Sequence, residues 1–165
     1  MAAHDHFRDR CLLVGAVGAG KTTLMHALND DPDRARKTQV AEYVGACIDT
    51  PGEYAEIVAF RSRLVALSNE ARLLVVLHDA TRERSCFPPG FVRIFPCPAI
   101  GLVTKIDLPG ADVVRATALL REAGVEGEIH PVSATLGTGM AALRQRLSSC
   151  LAGRNGENDN GNCSG

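Results

Sequence analysis

The run Gly15-Ala16-Val17-Gly18-Ala19-Gly20-Lys21-Thr22 has the spacing G-x-x-x-x-G-K-[ST], follows an apolar stretch, Cys11 to Val14, and opens a segment of helical character, Thr23 to Leu28. Glycines at this spacing let the backbone curl until its N–H groups converge, and the positive end of the following helix adds to the same field. The result is a cradle for polyphosphate, with Gly15, Gly18, Ala19, Gly20 and Thr23 against the anion and Lys21 reaching its outer phosphates. The hydroxyl of Thr22 suits Mg²⁺, a hard cation that takes octahedral oxygen ligation and brings phosphate oxygens and waters with it. Further on, Asp49-Thr50-Pro51-Gly52 has the form D-x-x-G: Asp49 would steer Mg²⁺ through a water, and the Gly52 amide would meet the γ-phosphate.

A second constellation reads a base. Thr104-Lys105-Ile106-Asp107 follows the apolar run Ala99 to Val103, where open α/β sheets bind ligands beyond the carboxyl ends of their strands. A carboxylate at Asp107 can accept from guanine N1–H and the 2-amino group, two donors that adenine does not present, while the stem of Lys105 can lie over the purine face. Thr104 stands where the N/T-K-x-D pattern more often has Asn, so fewer bridging contacts are expected of it. The Ser133-Ala134 backbone, in Pro131-Val132-Ser133-Ala134, is placed to approach guanine O6. The cofactors implied are GTP or GDP with Mg²⁺.

These residues need a scaffold. Short apolar runs at Cys11 to Val14, Leu73 to Leu77 and Ala99 to Val103 suit strands covered on both faces, as in a parallel sheet. Between them, Ile57, Leu64 and Leu67, then Val113, Thr117 and Leu120, then Met140, Leu143, Leu147 and Leu151 recur at helical spacing. Alternation of this kind predicts right-handed crossovers and an α/β fold, three-layer α/β/α with a mainly parallel central sheet; with the two motifs above it is similar to a P-loop NTPase of Ras-like type. Val40 to Ile48 is expected to add an antiparallel hairpin or edge strand. The boundaries predicted are a short flexible N-terminus over 1–9, the nucleotide-binding domain over 10–152 and a disordered Asn- and Gly-rich tail over 153–165.

Bulk properties narrow the partners. A net charge of −1 over 165 residues gives no electrostatic footprint for nucleic acid or an anionic membrane. No apolar stretch approaches a membrane span, and residues 1–10 lack the apolar centre of a signal peptide, which points to the cytoplasm. The six cysteines show no CxxC spacing and read as free thiols, so no metal is assigned to protein ligands alone. His78, at the mouth of what is expected to be the fourth core strand, reads as a structural histidine or as an acid or base near the ligand. Arg34 and Arg36 read as solvated loop residues or as a finger supplied from within the chain.

Together the phosphate loop, Lys37-Thr38-Gln39, Asp49-Thr50-Pro51-Gly52-Glu53-Tyr54, Asp79-Ala80-Thr81-Arg82, Phe87-Pro88-Pro89-Gly90-Phe91 and Val103-Thr104-Lys105-Ile106-Asp107-Leu108 resemble the EutP/PduV family of small GTPase-like proteins, from Cys11 to Leu151. The resemblance implies a role in ethanolamine or propanediol utilisation and an association with bacterial microcompartments, with shell or cargo proteins as partners. It also implies that Thr38 touches Mg²⁺ and the γ-phosphate, and that Tyr54 onward forms a second switch. Glu53 would stand where many GTPases place the glutamine that orients water; a carboxylate accepts but cannot donate, so slow unaided turnover is expected. Three functions fit: a GTP-dependent switch with Lys21, Thr38, Gly52 and Glu53 as its catalytic set, a phosphotransferase acting on a small carboxylate such as acetate, and a nucleotide-stabilised adaptor for a microcompartment shell. Neither the oligomeric state nor the choice between the two pathways is encoded in these motifs.

Overall fold

The computed structural model describes residues 10–29 and 47–152. Thr38, Arg34, Arg36, Cys163, the Val40 to Ala46 part of the expected hairpin and the predicted terminal segments 1–9 and 153–165 lie outside the described residues. In chain order the elements are β1 (Arg10–Gly15), α1 (Lys21–Asn29), β2 (Cys47–Ile48), α2 (Glu53–Glu56), a 3-10 turn (Val58–Phe60), α3 (Arg61–Ser68) and β3 (Ala71–Asp79). A second 3-10 turn (Phe91–Ile94), β4 (Ala99–Thr104), α4 (Val113–Glu122), β5 (Ile129–Pro131) and α5 (Met140–Ala152) complete it.

The five strands form one sheet in the order β2-β1-β3-β4-β5, and every pairing is parallel. Cys11 pairs with Cys47 and Leu12 with Ile48, so the described part of the Val40 to Ile48 segment is an edge strand, parallel to β1, and the rest of the expected hairpin lies outside the described residues.

The apolar runs are continuous because each strand feeds two cores. On one face Leu12, Val14, Leu74, Val76 and Val103 meet Leu64 of α3, Ala116 and Leu120 of α4, and the Phe87, Phe91 and Phe95 rings. On the other, Cys11, Leu13, Leu73, Val75, Leu77, Ile100 and Leu102 meet Leu24 and Leu28 of α1 and Met140, Leu143 and Leu147 of α5. Alternate residues of a strand point to opposite faces, so a central strand of a three-layer fold is apolar at both. Cys11, Cys47, Cys86, Cys97 and Cys150 are free thiols. No helix among the described residues is long and apolar enough to cross a membrane.

The helical period drawn through Ile57, Leu64 and Leu67 is interrupted. Ile57 adopts extended backbone between α2 and the 3-10 turn, and it is 44% exposed. The chain breaks there because Glu56 is held against the phosphate loop while Leu64 must reach the sheet. By contrast α4 begins as its sequence suggests. Asp112 is its N-cap, with an extended backbone and a carboxylate that accepts from the Arg115 N–H at 2.9 Å. Asp112→Ala is therefore expected to lower the unfolding free energy by about 1 kcal/mol, and Asp112→Asn by much less, in urea denaturation.

Candidate functional site

The sheet order reverses between β1 and β3, because β2 lies on one side of β1 and β3 on the other. Beyond the carboxyl ends of those strands a crevice opens, and the loop after β1 fills its floor. Gly18 and Gly20 carry φ of +75° and +99°, a conformation that residues with a Cβ rarely adopt. The Ala19 N–H closes the turn on the Ala16 carbonyl at 3.0 Å, and Leu24 N–H to Gly20 O at 2.8 Å starts α1.

The carbonyls of this loop are taken by side chains. Lys21 is buried, and its Nζ donates to Gly15 O at 2.7 Å and to Ala16 O at 2.9 Å. Burial lowers the pKa of Lys21, while Asp49, Glu53 and Glu56 pull it back up, so those three carboxylates lie close enough to act on the ammonium. Thr22 and Thr23 are exposed on the first turn of α1.

The D-x-x-G segment is bolted to the same loop. Thr50 is buried and its Oγ1 donates to Leu13 O at 2.6 Å, which leaves Asp49 exposed at the end of β2. Gly52 lies directly on the loop backbone: a Cβ there would come within 2.4 Å of Val17 N and 2.8 Å of the Ala16 carbonyl carbon. Only glycine fits that approach. Glu53 is exposed at the start of α2. One turn later, Glu56 Oε1 accepts from the Val17 N–H at 3.1 Å, while Arg82 Nη2 donates to Val17 O at 2.7 Å. Both polar groups of Val17 are thus held by side chains from other elements, and the two holders are 3.9 Å apart.

On the opposite flank, Gly20, Thr23, Thr104, Lys105, Asp107 and Ala134 line one pocket, with Leu24, Leu108, Val132 and Thr135. Thr104 Oγ1 donates to Ala19 O at 2.7 Å and lies 3.4 Å from His78 O, so the threonine hydroxyl does bridge strand to loop. Lys105 has φ of +58° and its Nζ meets Asp79 Oδ2 at 2.7 Å; Thr81 N and Oγ1 occupy Asp79 Oδ1 at 2.9 and 2.7 Å. Ser133 is fully buried, with its Oγ accepting from Leu136 N at 3.1 Å, so its side chain shapes the turn while Ala134 reaches the pocket.

Sequence reasoning missed three positions. Nothing local marks Glu56, Asp79 or Arg82 as site residues, since the partners of Glu56 and Arg82 on Val17 lie 39 and 65 residues away. His78 lies on β3, the third strand among the described residues, and is buried with no partner there for Nε2. Burial, helped by Arg82 and Arg115, lowers its pKa against the opposing pull of Asp79 and the Arg82 backbone. Burial works against the charge on Asp79, but Lys105 and Thr81 outweigh it and hold the carboxyl below its ordinary range.

Compared with known proteins, residues 8–149 match the family described as PduV-EutP, ethanolamine utilisation - propanediol utilisation. "Probable acetate kinase EutP" of Escherichia coli (strain K12) is 39% identical over 119 residues, 71% of this chain and 75% of that protein. "Propanediol utilization protein PduV" of Citrobacter freundii is 34% identical over 147 residues, covering 86% and 97%. Among solved structures, the apo form of translation elongation factor SelB from Methanococcus maripaludis superposes with a TM-score of 0.57 at 21% identity. That match covers 87% of this chain and 35% of the factor. It establishes the fold.

The two titrating groups give a test by pH. Both have folded pKa values below their ordinary ones, so each stabilises the fold above its ordinary pKa and loses that contribution as pH falls through the folded value. Unfolding curves should show stability falling first below pH 6.5, from His78, and again below pH 3.8, from Asp79. His78→Gln should flatten the first limb, and Asp79→Asn the second.

Proposed function

The chain belongs to the PduV-EutP family, and from that membership and the geometry above we propose that it binds a guanine nucleotide with Mg²⁺ and cleaves its γ-phosphate slowly, as a switch in ethanolamine or propanediol utilisation. The observation that carries this reading is the 2.7 Å hydrogen bond from Thr104 to Ala19, which ties the pocket of Lys105, Asp107 and Ala134 to the cradle at a fixed spacing. A nucleotide laid along the crevice then has its purine beside Asp107 and its terminal phosphate at the end marked by Lys21, Val17 and Gly52. Asp107 would accept from guanine N1–H and the 2-amino group. Lys105, held by Asp79, would present its stem to the ring.

No group of three or more His, Cys, Asp or Glu that could hold a metal occurs among the described residues. The exposed oxygens of Thr22 and Asp49 fit Mg²⁺, with Thr38 as a further ligand by family resemblance, and the remaining positions would go to phosphate oxygens and water. When bound, the ion would neutralise charge between the outer phosphates. The chain's own contribution is to orient. Lys21 would leave the carbonyls of Gly15 and Ala16 for phosphate oxygens, and the Gly52 amide, already seated on the loop, would register whether a γ-phosphate is present. Glu53 cannot donate to the attacking water, which fits turnover on the order of 10⁻⁴ to 10⁻² per second. Microcompartment shell or cargo proteins are the proposed partners of the switch.

A second reading is favoured by one finding, the description of the Escherichia coli relative as a probable acetate kinase. Transfer to a short carboxylate in place of water needs little new machinery, since phosphoryl transfer depends mainly on positioning and charge neutralisation. The two readings separate in one assay. With Mg²⁺ and GTP alone the switch releases inorganic phosphate at a rate that acetate leaves unchanged; the kinase forms hydroxylamine-trappable acyl phosphate when acetate is added, and that product would replace the first reading by the second. Guanine recognition is checked by calorimetry with GTP, GDP and ATP. Wild type should prefer GTP to ATP by about 10- to 100-fold, the worth of one or two hydrogen bonds to a charged acceptor, and Asp107→Asn should lose that preference. Equal affinity of wild type for ATP would reject the base assignment.

A further inference from the structure

We infer that Arg82 is an arginine finger supplied in cis, a residue that contacts the γ-phosphate and stabilises the charge that builds as it is transferred. The inference rests on the nucleotide reading above and adds a catalytic residue to it.

The purine pocket adjoins the Gly20 and Thr23 end of the cradle. The terminal phosphate therefore belongs at the other end, where Gly52 is pressed on Val17 and Lys21 lies on Gly15 and Ala16. The Arg82 guanidinium is already there. Its Nη2 is 2.7 Å from Val17 O and, among the described residues, comes within 3.9 Å of where a Gly18 Cβ would stand, so it lies against the loop at Val17 and Gly18. Among the described residues, Arg61 lies over the Phe91 ring, Arg63 over Tyr54 and Phe60, and Arg115 beside Asp112, while Arg34 and Arg36 lie outside the described residues.

Anchorage and freedom are divided as a finger requires. The Arg82 N–H bonds Asp79 O at 3.0 Å, Ala80 N–H bonds Thr104 O at 3.0 Å, and Asp112 N–H bonds Ala80 O at 2.9 Å, so the root of the side chain is fixed to β3, β4 and α4. Its side chain is 43% exposed and held only at its tip, by Val17 O and the Glu56 carboxylate at 3.9 Å. A guanidinium on a short tether can exchange a neutral carbonyl for an anion without moving backbone.

Charge decides the direction of that exchange. Asp49, Glu53 and Glu56 all act on Lys21, so this end of the crevice already carries an excess of carboxylate. A triphosphate adds more negative charge, which favours a cation moving onto it and a carboxylate, Glu56, moving off. In the step itself, a water oxygen forms a bond to the γ-phosphorus as the bond to the β–γ bridging oxygen breaks. The electron pair leaves with GDP, and the water proton is released with inorganic phosphate. Arg82 neutralises charge on the bridging and γ-oxygens while Lys21 holds the β-side.

The test is single-turnover cleavage of GTP with protein in excess and Mg²⁺ present, for wild type, Arg82→Ala and Arg82→Lys, each checked for folding by thermal unfolding. Arg82→Ala should cleave about 1,000-fold more slowly with GDP affinity within about threefold of wild type, Arg82→Lys should fall between, and guanidinium ion should partly restore Arg82→Ala. The GDP complex with aluminium fluoride should form with wild type and not with Arg82→Ala. If wild type cleaves GTP and Arg82→Ala cleaves within about threefold of it, or if the variant loses GDP binding and guanidinium restores nothing, Arg82 is not a finger while the nucleotide reading stands. If wild type itself fails to bind GTP, the nucleotide reading falls and takes the finger with it.

Discussion

A loop that converges its amides on one side must turn its carbonyls to the other, and those carbonyls need donors. In this protein four carbonyls of the curl between β1 and α1 are captured by side chains, two of them from distant parts of the chain. Gly15 and Ala16 are taken by Lys21, Val17 by Arg82, and Ala19 by Thr104; the strand leading in is taken at Leu13 by Thr50. The donors come from α1, from the turn after β3, from the end of β4 and from the segment after β2. The curl is therefore where four connections are registered against each other. Everything else in the fold, from the double-sided apolar strands to the order β2-β1-β3-β4-β5, brings those connections to the same edge of the sheet.

Electrostatics divides the crevice into two unlike ends. At the pocket end charge is paired and fixed: Asp79 is buried, saturated by Lys105 and Thr81, and holds Lys105 in a left-handed backbone conformation that costs energy and persists because the ion pair and the strand end determine it. At the Val17 end charge is abundant and loosely held, with Glu53 and Glu56 on a single turn of helix and Arg82 partly exposed. A rigid end suits recognition of a flat, neutral ring, whose donors and acceptors have fixed directions. A labile end suits a group whose charge changes during the reaction, because side chains there can re-pair without unfolding an element.

This division also explains what could be read from sequence. The curl between β1 and α1 and the place of Thr104 to Asp107 at the end of β4 were legible because each depends on residues close together in the chain, at spacings set by one turn of loop or helix. The layers were legible because runs such as Leu73 to Leu77 are apolar on both faces. Glu56 and Arg82 were not, since their partners on Val17 are 39 and 65 residues away and nothing local marks either side chain. The break at Ile57 was not legible for a related reason: tertiary contacts override the local helical period, and the helix stops where Glu56 and Leu64 face different neighbours.

The Val17 peptide is the point at which the loop after β1, α2 and the turn after β3 meet. Its N–H is occupied by Glu56 of α2 and its C=O by Arg82, and Gly52 is packed on it so closely that no side chain fits between. An anion placed beside it cannot leave all three contacts unchanged, because it repels the carboxylate, attracts the guanidinium and competes for the amide. The carboxylate lies on α2, which continues through the Ile57 break into α3. Displacing Glu56 therefore loads a short helix whose N-cap Gly52 is packed on the loop and whose Tyr54 ring contacts Arg63 of α3. On the proposed reading, that is the mechanical link by which the presence of one phosphate becomes a change of surface. It depends on the Ile57 interruption, since a continuous helix from Glu53 to Ser68 would resist the same displacement with the full packing of Leu64 against the sheet.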